Sequence, residues 1–334
     1  MVASSPGIAG IEFADPALET AVRSGLAAVE DLLRESVHSD DAFVAETAQH
    51  LVAAGGKRFR PLVVLLSAAF GDMQGAGVVE AAVVVELTHL ATLYHDDVMD
   101  EAVVRRGAVS ANTRWTNTVA ILTGDFLFAR ASDLLADLGP EAVRIQARTF
   151  ERLVMGQIHE TVGAPAGADP VSHYLSVLAE KTGSLIATSG RFGGMFGGAD
   201  APMVDVLTAY GDNIGVAFQL SDDLLDITSE GAELGKLPGT DLREGVPTLP
   251  VLYALAGADP AEARLRELIG KPLADDTLHG EALTMLRRSP ALESARETLA
   301  AYAAHARNLL RPLPDLPARA ALESLADFVV ARTS

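Results

Sequence analysis

Two acidic clusters constrain this chain more than any other feature. "HDDVMD", His95 to Asp100, sets three carboxylates directly after the apolar run "VVVELTHLATLY", and "QLSDDLLD", Gln219 to Asp226, repeats the Asp spacing after a second apolar segment. Residues four apart share one face of a helix, so Asp96 and Asp100 point the same way, as do Asp222 and Asp226. Asp97 and Asp223 are turned by roughly 100°. Like charges at this spacing destabilise a helix, and burial raises their pKa values unless a cation compensates. Mg²⁺ is the natural cation, because it takes carboxylate oxygens, keeps several waters and completes its shell with a substrate's phosphate oxygens. Two such faces opposed across a helical bundle would hold a metal-bridged ligand. Either cluster alone reads equally as a solvated helix end; two copies, each after an apolar helix, argue against that. Neither has the alternating Asp loop and distal Glu of an EF-hand.

The rest of the chain is consistent with helices. It has 334 residues, aromatics make up 5%, and no series of short alternating Val/Thr/Tyr segments appears, which argues against an all-β fold. Gly and Pro punctuate segments of helix length. Helices are expected near residues 17–53, 58–70, 77–102, 112–137, 141–160, 171–196, 203–227, 248–256, 261–269, 277–287, 291–310 and 316–331, forming one all-α domain over 16–334 after a loose segment 1–15. The stretch from Ser229 to Pro250 reads as one long irregular loop, a candidate lid.

Composition excludes several functions. With no cysteine, disulfides, thiolate ligands and cysteine nucleophiles are ruled out, and a cytoplasmic setting is expected. Forty-five acidic against 26 basic residues give a formal charge of −19, which disfavours nucleic acid as a partner. The N-terminal "MVASSPGIAG" lacks the pattern of a signal peptide, and no uncharged apolar run reaches the ~18 residues of a membrane span.

A metal-bound diphosphate also needs cations. "GGKRFRP" supplies Lys57, Arg58 and Arg60 behind a glycine pair, and "RRG" supplies Arg105 and Arg106 just beyond Asp100. His89 lies seven residues before Asp96, on the same helical face; Lys181 and Thr182 stand in "EKTGSL", and Lys236 in the loop after the second cluster. Any one of them alone reads as a solvated surface group. Their shared placement beside the Asp clusters favours a site.

In this order, "GGKRFRP", "HLATLYHDDVMD" with "RRG", "LTGDFLFAR", "EKTGSL", "QLSDDLLD", "GKLPGTDLREGVPTLP" and "LADFVVAR" resemble the trans-type isoprenyl diphosphate synthases, the polyprenyl synthetases, from residue 55 onward. The resemblance implies an all-α, single-domain bundle of the isoprenoid synthase type around a deep central cavity. It implies a homodimer that joins isopentenyl diphosphate to an allylic diphosphate with Mg²⁺. Carried over by motif, Asp96, Asp100 and Asp222 would hold the metal, with Asp97, Asp223 and Asp226 completing its shell or bonding its waters. Arg105, Lys181, Thr182, Gln219, Asp226 and Lys236 would contact the allylic substrate, and Lys57, Arg60, His89 and Arg106 would cradle isopentenyl diphosphate. Asp96, Asp100, Asp222, Lys181 and Arg105 would carry the catalysis. One departure is Val246 in "EGVPTLP", where the family often has Lys.

Product length is expected to depend on the turn before the first cluster. Thr92 and Ala91 lie four and five residues upstream of Asp96, roughly 6 and 7.5 Å along the axis at ~1.5 Å per residue. Both are small, where similar synthases of short products carry a bulky aromatic. That resemblance points to the long-chain branch, with about seven to ten isoprene units, as in quinone side chains. Phe126, Phe128 or Met155 are the other candidates for a floor. The alternatives are a short-chain farnesyl or geranylgeranyl diphosphate synthase, a class I terpene cyclase, whose second Asp cluster would be replaced by an Asn/Ser/Glu pattern, and a non-catalytic partner subunit, whose Asp motifs would be degraded.

Overall fold

The computed structural model describes residues 8, 10, 11, 13–229 and 238–333. Among them the β structure is one isolated bridge, Ile8 to Ile11, and a two-stranded antiparallel hairpin. The chain is all-α, as its composition predicts, and divides into two compact units.

The first unit comprises Met1–Glu151, Leu185–Gly211 and Leu310–Ser324. Its early helices are α1 (Pro16–Ser36), α2 (Ala42–Ala53), α3 (Phe59–Ala68) and α4 (Val78–Met99). Asp15 starts α1 by accepting the Leu18 amide at 2.7 Å ahead of Pro16, a side-chain cap followed by proline at the first helical position. The single helix expected over 17–53 is two helices. The Asp41 carboxylate caps the Phe43 and Val44 amides at 2.9 and 3.1 Å, which starts α2 afresh without any Gly or Pro to announce it.

Helix α4 is the core of this unit: Val78, Ala81 to Val85, Leu87, Leu90, Ala91 and Tyr94 are all fully enclosed. By length and composition alone it could cross a membrane, but 67% of its most apolar window is buried inside the protein. The hairpin β1 (Val104–Arg105) and β2 (Ala108–Val109) follows, then α5 (Ala111–Arg114) and α6 (Asn117–Leu138). The expected helix over 112–137 is broken at Trp115 and Thr116, where the Thr116 hydroxyl accepts the Val119 amide at 3.2 Å and opens α6. Helix α6 packs closely on α4 because Gly124 has no side chain: a Cβ there would lie 2.4 Å from His95 Nε2 and 3.0 Å from the Ala91 carbonyl.

The second unit comprises Arg152–Ser184, Asp212–Leu309 and Leu325–Ser334. Helix α7 (Pro140–Val162) enters it from Arg152, followed by α8 (Pro170–Leu178) and a π-helical turn at Ala179–Gly183; α9 (Ser184–Phe196) belongs to the first unit from Leu185 onward. The segment expected as one helix over 171–196 thus carries a local π distortion, a feature common at functional sites. Helix α10 (Ala201–Thr228) ends in the second acidic cluster, with Ile214, Val216, Ala217, Leu220, Leu224 and Ile227 buried around it. Of the loop expected over Ser229 to Pro250, residues 230–237 lie outside the described set; the rest includes a short helix, α11 (Thr240–Glu244), and the start of α12 (Leu249–Ala256). Helices α13 (Ala263–Leu268), α14 (Asp276–Leu286), α15 (Pro290–Leu309) and α16 (Pro317–Ala331) complete the chain.

Candidate active site

In the first unit the acidic cluster ends α4, and its three carboxylates differ in environment. Asp97 is fully buried and accepts Arg105 Nε on Oδ1 at 2.5 Å, while its Oδ2 is buried without a hydrogen-bond partner. Burial raises the Asp97 pKa against the pull of Arg105. Asp96 is half-buried and Asp100 exposed, with Arg105 Nη2 3.7 Å from Asp100 Oδ2. Burial therefore separates Asp97, fully enclosed, from the less buried Asp96 and Asp100.

The arginines come from the hairpin. Val104 pairs with Val109 and Arg105 with Ala108, so Arg106 and Gly107 form the two-residue turn, both at positive φ (53° and 77°), as such tight hairpins require. The turn aims Arg106 at the "GGKRFRP" segment. Its Nη1 donates to the Gly55 and Leu51 carbonyls, and its Nη2 lies 3.5 Å from His89 Nε2. Gly56 makes room: a Cβ there would lie 2.9 Å from Arg106 Nη1. Lys57 is exposed, and Arg60 and His89 are half-buried. Burial, then Arg60, Arg106, Arg105 and Arg58, lowers the His89 pKa well below its ordinary 6.5, so the imidazole is neutral at physiological pH. Arg106, His89 and the glycine pair are thus one constellation.

In the second unit α10 carries the other cluster. Asp223 is buried, with Tyr174 of α8 donating to Oδ2 and Gln219 Nε2 donating to Oδ1 at 2.9 Å. Thr182 Oγ1 donates to Gln219 Oε1 at 3.2 Å, which extends the chain to the π turn. Burial raises the Asp223 pKa to about 6 even though the bonds from Tyr174 and Gln219 oppose the shift. Asp226 accepts the Thr240 amide on Oδ1 at 3.2 Å and the Asp241 amide on Oδ2 at 3.1 Å, tying the start of α11 to α10. Asp222 is 41% exposed. Lys181 pairs with Glu160 at 2.5 Å, and the π turn packs against α7 at Gly156, where a Cβ would lie 2.7 Å from the Lys181 amide. Lys236 lies outside the described residues. Val246 is exposed and donates its amide to the Asp241 carbonyl at 2.8 Å.

Among the described residues no three His, Asp or Glu side chains form a ready-made metal cage. Asp97 and Asp223 are the buried carboxylates, held by protein donors; Asp96, Asp222 and Asp226 are half-buried and Asp100 is exposed.

Sequence reasoning did not single out three residues. Arg332 lies with Nη1 2.8 Å from Asp222 Oδ1; Tyr174 holds Asp223; Glu86 lies buried beneath the arginines of the first unit. Only Glu86 had a local signal, a lone acid inside "VVVELTH" that burial obliges to find a partner. Of the floor candidates, Ala91 is fully enclosed and Thr92 half-buried, Phe128 packs on His95 and Phe150 with ring centroids 5.8 and 4.5 Å away, and Met155 is exposed.

Comparison with known proteins places this arrangement. Residues 41–286 match the polyprenyl synthetase family model. The chain belongs to the polyprenyl synthetase family. It is 53% identical over 326 residues, 97% of each chain, to the nonaprenyl diphosphate synthase of Mycobacterium tuberculosis. Among solved structures it resembles a geranylgeranyl pyrophosphate synthase from Corynebacterium glutamicum complexed with calcium and isoprenyl diphosphate, with a TM-score of 0.87, 46% identity and coverage of 97% of this chain and 100% of that one. A decaprenyl diphosphate synthase from Rhodobacter capsulatus matches with a TM-score of 0.86 and 38% identity over 95% of this chain and 99% of that one. The reaction class of this polyprenyl synthetase is prenyl transfer.

Proposed function

We propose that this polyprenyl synthetase condenses isopentenyl diphosphate with an allylic diphosphate, repeatedly, to give an all-trans polyprenyl diphosphate of about seven to ten isoprene units that serves as a quinone side chain. The observation that carries the reading is the repeated layout of the two acidic clusters: each has one buried aspartate locked by protein donors, Asp97 by Arg105 and Asp223 by Tyr174 and Gln219, beside the less buried Asp96, Asp100 and Asp222. The identity to a nonaprenyl synthase supports the long product. The similarity to a geranylgeranyl synthase supports a shorter one as the second reading. A cyclase or an inactive partner subunit is disfavoured by the two intact clusters.

In this reading Asp96, Asp100 and Asp222 hold Mg²⁺, which, when bound, neutralises charge on the diphosphate. Departure of diphosphate from the allylic C1 leaves a delocalised cation, and the costly feature is negative charge gathering on the leaving oxygens. Lys181 and Arg105 add positive charge there, with Thr182, Gln219, Asp226 and Lys236 orienting the allylic substrate. Lys57, Arg60, His89 and Arg106 hold isopentenyl diphosphate so that its terminal alkene carbon attacks C1. After the carbon–oxygen bond has broken, the alkene π electrons form the new carbon–carbon bond to the allylic cation, and a proton passes from C2 of the isopentenyl unit to the released diphosphate. A neutral His89 suits its place among arginines as a hydrogen-bond partner rather than a further charge. No protein nucleophile is required. The enzyme acts as one domain over 16–334, as a cytoplasmic homodimer, with Ala91 and Thr92 limiting product length.

The test is incubation of pure protein with Mg²⁺, isopentenyl diphosphate and farnesyl or geranylgeranyl diphosphate, followed by chromatography of the dephosphorylated products. Products of about seven to ten units are expected from the resemblance in the turn before Asp96. No elongation of any allylic primer overturns the reading, and an exclusive geranylgeranyl product moves it to the short-chain branch.

A further inference from the structure

We infer that the buried ion pair Arg58–Glu86 is a positioning device for the isopentenyl diphosphate cradle of Lys57, Arg60, His89 and Arg106. The inference rests on the substrate assignment proposed above. It concerns two residues to which that assignment gives no ligand contact.

Arg58 and Arg106 are non-glycine residues with left-handed backbone, at φ 47° and 53°. Such conformations are strained for residues with a Cβ and persist where the surroundings fix them. Both arginines converge on one carboxylate oxygen. Glu86 Oε1 accepts Arg58 Nη1 at 2.9 Å and lies 4.0 Å from Arg106 Nη2. The Glu86 side chain is only 2% exposed, so its charge is shielded from water and bound to these cations.

Arg58 differs from the cations beside it. Its Nε donates to Glu30 Oε2 at 2.9 Å, its Nη1 to Glu86, and its Nη2 to the Val52 carbonyl at 3.3 Å, so all three guanidinium nitrogens are bonded within the protein. Burial works against its charge but is outweighed by Glu30 and Glu86, and its pKa is raised. Arg58 immediately precedes α3 and has no side-chain cap, so its ion pairs fix the angle at which the segment bearing Lys57 and Arg60 enters that helix. Glu86 sits on α4 three residues before His89, on the same face. One carboxylate thus ties together the chain from Lys57 into the first turn of α3, helix α4 and the tip of the hairpin. These three pieces of chain carry the four cradle residues. Burial lowers the Arg106 pKa, and the charge of Glu86 opposes that shift.

The consequence is selective. Loss of the pair should loosen the cradle for the unit being added and leave recognition of the allylic primer intact. Glu86→Gln, which keeps shape but removes charge, is expected to raise KM for isopentenyl diphosphate about tenfold, with KM for the allylic primer within about twofold of wild type. Arg58→Lys keeps the charge but cannot form the forked contacts, and should shift the same KM in the same direction by a smaller factor. Circular dichroism and thermal melting identify which variants are folded, and Arg58→Lys decides alone should Glu86→Gln not fold. Folded variants in which neither KM moves, or both move equally, overturn the inference and leave the pair a structural ion pair. A wild-type protein that elongates nothing would instead defeat the assignment beneath it.

Discussion

Arg332 Nη1 lies 2.8 Å from Asp222 Oδ1, and the guanidinium is anchored independently of that contact. Its Nε donates to Ser221 Oγ at 2.7 Å, its Nη2 to the Phe218 carbonyl at 2.8 Å, and its plane lies 4.5 Å from the Phe218 ring centroid. The positive charge is therefore held in place whether or not Asp222 moves. Under the proposed function it would orient one oxygen of Asp222, as supporting residues do around metal ligands.

Arg332→Leu is therefore expected to leave the fold intact and to raise the Mg²⁺ concentration for half-maximal elongation by about tenfold. Lysine at this position restores charge without the fork and should recover only part of the loss. A Mg²⁺ titration of rate, run beside a melting curve, reads this out. An unchanged half-saturation point in the leucine variant would remove Arg332 from the metal site.

The turn before the first cluster makes a second prediction. Ala91 is fully enclosed where Gly124 lets α6 approach, whereas Thr92 is half-buried. A phenylalanine at 91 overpacks that contact and should cost about 1–3 kcal/mol of stability as well as shortening the product. Thr92→Phe should shorten the product at a smaller stability cost. Product chromatography and denaturant unfolding separate the two effects, and unchanged lengths in both variants would dismiss this turn as the floor.

His89 gives a pH dependence. Its folded pKa lies well below the ordinary 6.5, chiefly through burial and then through Arg60. The unfolded chain takes up a proton near that ordinary value while the folded protein resists it. Stability from this group is therefore complete above about pH 6.5 and declines as pH falls below it, with a slope of at most about 1.4 kcal/mol per pH unit. His89→Gln should flatten that part of the profile. The check is the free energy of unfolding between pH 5 and 8 for both proteins; parallel profiles would contradict the assignment.

Much of this was readable from sequence, and the failures have physical causes. Gly and Pro marked most helix ends, but the break between α1 and α2 is made by side-chain caps, with Ser39 Oγ accepting the Asp41 amide at 3.2 Å and Asp41 capping in turn. Thr116 interrupts the expected helix over 112–137 by the same means, capping the start of α6. The spacing of the Asp clusters revealed the carboxylates directly, because helical periodicity is local. Arg332, Tyr174 and Glu86 escaped notice because their roles depend on partners 110, 49 and 28 positions away, at Asp222, Asp223 and Arg58. No local pattern encodes such a pairing. The π turn at Ala179–Gly183 was equally silent, since "AEKTG" continues a helical pattern.

The central claim of the proposed function is that Asp96 and Asp222, one from each acidic cluster, are needed for the same chemical step. It is tested most directly by the Mg²⁺-dependent elongation rates of Asp96→Ala and Asp222→Ala, each shown by circular dichroism to be folded. Removing charge stabilisation where negative charge develops should lower kcat by about a thousandfold or more in either variant. Near wild-type turnover in one folded variant would show that its cluster takes no part in catalysis and would contradict the account.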